Sequence, residues 1–130
     1  MINVIRTKIA PVVIGPYSQA TNVGEFIFTS GQIPLSPTTG EVVGNDIKSQ
    51  TEQVIKNLKE VLHAADSDLS HVLKTTCFIT DMELFSDFNE VYSSHFTGDK
   101  PARSCVAVKQ LPKGVLAEIE AIAVKKKREG

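Results

Sequence analysis

The sequence predicts an α+β fold, one β-sheet with two helices packed on one of its faces. Three observations carry this. The hydrophobic period switches between strand and helix along the chain in the order ββ-α-β-α-ββ. Each helical stretch is apolar along one stripe only, so each can cover one face of a sheet. The 130 residues are 42% hydrophobic and 22% charged, an ordinary composition for one domain with a core to bury. No linker, low-complexity segment or short-period repeat interrupts them, so residues 1–130 are expected to form a single domain.

The elements follow in order. Two β-rich runs, Ser18 to Val23 and Phe26 to Ile33, flank Gly24-Glu25, and a two-residue link with Gly first is a hairpin signal. Pro34 and Ser36-Pro37-Thr38-Thr39-Gly40 make a loop. A helix is predicted from Asn45 or Asp46 to Ala65, with Ile47, Val54, Ile55, Leu58, Val61, Leu62 and Ala65 on its apolar stripe. Asp66-Ser67-Asp68 ends it. Val72 to Thr80, rich in Thr, Phe and Ile, returns to strand. Thr80 and Glu83 fit a capping box that opens a second helix. Its buried stripe is Phe85, Phe88, Tyr92 and Phe96, and Gly98 and Pro101 stop it. The last two strands, around Pro101 to Cys105 and Leu116 to Glu120, are expected to pair as a hairpin through Leu111-Pro112-Lys113-Gly114.

Two amphipathic helices leave the other sheet face bare. Pairs such as Phe26 with Phe28, and Val106 with Val108, make that face too apolar to leave wet, so self-association is expected.

Composition excludes several classes. A net charge of −1 gives no overall basic field for nucleic acid. The one basic run, Lys125-Lys126-Lys127-Arg128, reads as a solvated tail. No apolar run approaches the ~20 residues of a membrane helix, and no secretory signal opens the chain. Cys77 and Cys105 are far apart without metal-type spacing, which fits reduced thiols in a cytoplasmic protein. His63, His71 and His95 are scattered, so no metal site is expected.

The chemistry gathers near the C-terminus. In a strand, residues two apart share a face, so Arg103 goes with Cys105, and Glu118 with Glu120. The expected hairpin would set a guanidinium, a thiol and a carboxylate side by side. Arg forks onto carboxylates, and Glu handles a proton or a water. A small carboxylated substrate suits the set. Taken alone, Arg103 reads equally well as half of a surface ion pair.

Five segments, in register, carry a resemblance: Gly15-Pro16-Tyr17-Ser18-Gln19-Ala20, Thr29-Ser30-Gly31-Gln32-Ile33-Pro34, Lys74-Thr75-Thr76-Cys77-Phe78-Ile79, Pro101 to Cys105, and Glu118-Ile119-Glu120-Ala121-Ile122-Ala123. Together they resemble the RidA family of reactive-intermediate imine deaminases, formerly YjgF, over nearly the whole chain. That resemblance implies a chorismate-mutase-like α+β fold and a homotrimer with sites in the clefts between subunits. It implies hydrolysis of 2-imino acids, formed from enamines such as 2-aminoacrylate, to 2-oxo acids and ammonia. No cofactor is needed, because imine hydrolysis is downhill and intrinsically fast.

Carried onto this sequence, the resemblance makes Arg103 the carboxylate anchor and Glu118 the group that handles water. It places the Cys105 backbone near the imine nitrogen and sets Tyr17, Ser30, Gly31 and Asn89 around the ligand. Glu120 is given a structural role. Cys105 has no His nearby in sequence to activate it, so a covalent role is not expected. The rival readings are a non-catalytic trimer that binds small carboxylates or clients, and a translation inhibitor or ribonuclease as described for some relatives. A binder needs Arg103 and could discard Glu118.

Overall fold

A computed structural model of the chain describes residues 1–126. Its strands are β1 (Asn3–Ile5), β2 (Ala20–Val23), β3 (Phe26–Thr29), β4 (Val72–Ile79), β5 (Ala102–Ala107) and β6 (Ala117–Val124). The helices are α1 (Ile47–Ala64) and α2 (Phe85–His95). All six strands form one sheet in the order β1-β2-β3-β6-β4-β5. Only β4 and β5 run parallel; every other pair is antiparallel.

The local reasons are those of the sequence. Val23 pairs with Phe26 around Gly24, whose φ of 56° is left-handed backbone that Gly adopts freely. Asp46 caps α1 by accepting from the Ser49 N–H at 2.8 Å. Every apolar position of the expected α1 stripe is buried, and so are Phe88, Tyr92 and Phe96 along α2. They pack on the inner face of the sheet, where Ile27, Cys77, Ile79, Ala117, Ile119, Ala121 and Ala123 point. Three of the four inward residues of central β6 are alanines, which lets the helices approach closely. The α+β architecture with both helices on one face is therefore as expected.

Three details differ. The C-terminal hairpin does not form. β5 lies parallel beside β4, reached through α2, and β6 inserts between β3 and β4. Parallel neighbours need a crossover connection, and α2 supplies it. The stretch between Ala107 and Ala117 is too long for a tight hairpin, and it carries β6 past β4 instead. Second, the cap before α2 is Asp81, not Thr80: its carboxylate accepts from the Glu83 N–H at 2.8 Å in a single 3₁₀ turn, Met82–Leu84. Third, β1 was not expected, since three residues are too few to display alternation, and β3 stops at Thr29, short of Ile33.

The outer sheet face is open. Phe26 and Phe28 are 49% and 44% exposed, and Val4, Val23 and Val106 are also exposed. Lys125 and Lys126 leave the sheet with main-chain bonds to Glu25 and Asp66, while Lys127 and Arg128 of the basic run lie outside the described residues. Among the described residues no helix is long and apolar enough to cross a membrane.

Candidate functional site

Two clusters hold the candidate residues. The first lies on the outer face. Ala117, Ile119 and Ala121 point inward from β6, so Glu118 and Glu120 point out, opposite Phe78 and Thr76 of β4. They line a cavity of about 560 Å³ with Tyr17, Ser30, Gly31 and Lys113, walled by Val12, Ile14, Ile33 and Leu35 among others. Buried polar side chains hold these walls. Gln19 accepts from the Thr7 N–H at 2.7 Å and donates to the carbonyls of Thr7 and Pro11 at 3.0 and 2.9 Å. Asn57 of α1 donates to the carbonyls of Ile33 and Leu35 at 3.0 and 2.9 Å. Gln32 and Ile119 exchange two main-chain bonds beside Glu118.

Ser30 donates its hydroxyl to the Ser18 carbonyl at 2.6 Å, which leaves its oxygen free to accept. Tyr17 is half exposed at the cavity wall, and its hydroxyl accepts from the Ile14 N–H at 3.3 Å. Glu118 is half-buried. Burial, then the charge of Glu120, push its carboxyl above the ordinary value.

Gly31 is required by space. A Cβ there would overlap Glu118 Oε2 and come within 2.7 Å of its Cδ. Gly31→Ala is therefore expected to displace the Glu118 carboxylate by about 1 Å or more, a misplacement worth roughly 10²-fold in rate. A crystal structure of the variant checks this, and an unmoved Glu118 would refute it.

The second cluster sits at the sheet edge, on the helix side. Arg103 pairs with Thr75, which is buried against the helices. Its guanidinium lies over the Tyr92 ring, 4.8 Å from the centroid, and over Phe85 at 5.5 Å. Arg103 Nη1 donates to Asn89 Oδ1 at 2.7 Å. Asn89, Tyr92, Lys100, Pro101 and Arg103 line a cleft of about 590 Å³. Sequence reasoning took Phe85 and Tyr92 only for core. Their signal was present: residues 85, 89 and 92 share one side of a helix at i, i+4 and i+7.

Cys105 follows on the same face, opposite Cys77. Burial raises its thiol and the Arg103 charge only partly opposes this, while Cys77 is pushed up to about 12. Neither is a thiolate near neutral pH. Cys105→Ser is expected to lower turnover by less than about tenfold, because no activated sulfur is lost. Complete inactivation of a correctly folded variant, measured by steady-state assay, would restore a covalent role. Among the described residues no group of three or more His, Cys, Asp or Glu gathers to hold a metal ion.

The two clusters do not meet within one chain, which corrects the expected side-by-side placement of guanidinium, thiol and carboxylate. The cross-strand row Arg103–Thr75–Ala121 faces the helices; the row Val106–Phe78–Glu118 faces away. β4 stands between β5 and β6, and the pleat sends the two side chains to opposite faces.

Comparison with known proteins supplies the family. Residues 7–125 match the family described as Endoribonuclease L-PSP. A RutC family protein of Pyrococcus horikoshii is 54% identical over 96% of this chain and 99% of its own. The 2-iminobutanoate/2-iminopropanoate deaminase of mouse is 46% identical over 93% of this chain and 90% of its own. The crystal structure of E. coli TdcF with bound serine superposes with a TM-score of 0.90 at 43% identity, covering 95% of this chain and 99% of that one. With this sheet order, this helix pair and these five segments in register, the chain belongs to the Endoribonuclease L-PSP family, which includes the RidA proteins.

Proposed function

We propose that this protein is a cytoplasmic hydrolase of 2-imino acids, converting R–C(=NH)–COO⁻ and water to R–CO–COO⁻ and ammonia, as a homotrimer. The carrying observation is the division of labour between the clusters. One face offers a cation with an open fork, and the other offers a half-buried carboxyl in a walled cavity. Each is half of a site for one small carboxylated substrate. Association that sets the bare apolar face of one copy against the β5 edge of the next would bring the Glu118 half of one copy against the Arg103 half of another.

In that site Arg103 takes the substrate carboxylate. Tyr17, Ser30, Gly31 and Asn89 shape the enclosure, and the Cys105 backbone meets the imine nitrogen. Glu118 accepts a proton from water as the oxygen attacks the imine carbon and passes it to the nitrogen. It then relays the adduct hydroxyl's proton to the same nitrogen as the C–N bond breaks, the C=O bond forms and ammonia leaves. Holding water against the imine supplies much of the gain, as effective molarity. The named activity of the mouse relative and the amino acid bound in TdcF support this reading. RNA cleavage is less well supported: two carboxylates in the cavity repel phosphate, and the chain has a net charge of −1.

Ammonia release from 2-aminoacrylate generated in place tests the activity. The protein should accelerate it well above buffer, and an unchanged rate would remove the proposal. Sedimentation equilibrium tests the assembly. About three chains' mass is expected, and a species near 14.1 kDa at micromolar concentration would sink the shared site.

A further inference from the structure

We propose that Tyr92, tied to Thr75, is a positioning residue that holds the Arg103 guanidinium with its fork turned outward for a carboxylate. The inference rests on the reading of Arg103 as the carboxylate anchor and extends it to residues that do not touch substrate.

The geometry is specific. Arg103 is exposed on an edge strand, where a long, flexible side chain would ordinarily wander. Here its guanidinium has a platform that cannot swing. Tyr92 is 6% exposed as a residue, and its ring is stacked on Phe96 at 4.4 Å and tilted against Phe88 at 5.9 Å. Its hydroxyl is buried in a 2.7 Å hydrogen bond with Thr75 Oγ1. Thr75 is the strand neighbour of Arg103 itself, so the ring spans from the residue beside Arg103 to the guanidinium it carries. Phe85 adds a second ring contact, and Asn89 holds one N–H of Nη1. The ring contacts leave every N–H free. Apart from the one held by Asn89, the donors remain available for a planar bidentate partner. Burial raises the Tyr92 phenol, so it stays neutral and sets no competing charge under the guanidinium. A phenylalanine would fill the same core space; the hydroxyl fixes the ring to the strand that carries the anchor's neighbour.

Three variants test this: Tyr92→Leu removes the ring, while Tyr92→Phe and Thr75→Val each remove only the hydrogen bond. The first readout is ¹⁵N relaxation of Arg103 Nε without ligand. It should report an ordered group in the wild type, an order parameter below about 0.6 in Tyr92→Leu, and an intermediate value in the other two. The second is calorimetry with pyruvate and its neutral amide. Pyruvate should bind about tenfold more weakly to Tyr92→Leu and about threefold more weakly to the other two, with amide binding unmoved. In turnover, KM should rise by the same factors with kcat little changed. Unchanged Arg103 order and pyruvate affinity in folded Tyr92→Leu would overturn the inference. Should Tyr92→Leu not fold, unchanged values in both other variants would do so. If the wild type binds no carboxylate while Arg103 order still depends on Tyr92, the anchor reading fails and the positioning stands.

Discussion

Arg103→Ala is expected to abolish imino-acid hydrolysis. Truncating one partner of a hydrogen-bonded charge pair costs about 2–5 kcal/mol, or roughly 30- to 4000-fold in kcat/KM. The fold should survive, because Arg103 is exposed at a sheet edge and is not itself part of the buried core. Arg103→Lys should fail nearly as badly. An ammonium does not fork onto a carboxylate, and it does not stack as a plane on Tyr92. Ammonia release from 2-aminoacrylate, beside a thermal melt of the same sample, measures both. Release near the wild-type rate in Arg103→Ala would end the anchor assignment.

Glu118→Gln should have the second largest effect. The amide keeps the shape that fits against Gly31 but cannot accept a proton, so kcat should fall by roughly 10²–10⁴. Pyruvate should still bind through Arg103, and somewhat more tightly with one negative charge gone. The pH profile gives a second signature. The base form is the deprotonated one, and burial and Glu120 raise the carboxyl above the ordinary 4.5. The acidic limb of kcat/KM should therefore rise with pH through an apparent pKa above that value, and the variant should lack this limb. Intact turnover in a variant with the wild-type mass would remove the hydrolytic role and favour a binding module. Mass must be checked on the same sample, since loss of assembly would also silence a shared site.

The two results would fall on opposite faces of one sheet, and the sequence shows why that placement was hard to read. Alternation told which residues share a face: Arg103 with Cys105, and Glu118 with Glu120, as the structure has them. It could not tell which face each pair takes. That depends on which strands are neighbours, and β5 chose β4 through a crossover helix instead of β6 through a turn. The stripes of α1 and α2 and the β2–β3 hairpin were legible because they rest on spacings within a few residues. Phe85, Asn89 and Tyr92 were legible as a helix side, but their role was not, since Arg103 reaches them only after α2 crosses the sheet.

Gly31 is the same case in small. The resemblance set Gly31 beside the ligand, and the tertiary structure decided that the group packed against it is Glu118, 87 residues away in sequence. Residue types, helical stripes and strand parity were therefore determined by the chain alone, since each is set by local backbone geometry. Strand order, the face of each functional group and the platform under Arg103 were decided by tertiary structure. They depend on contacts between segments far apart in sequence, and no local period encodes those.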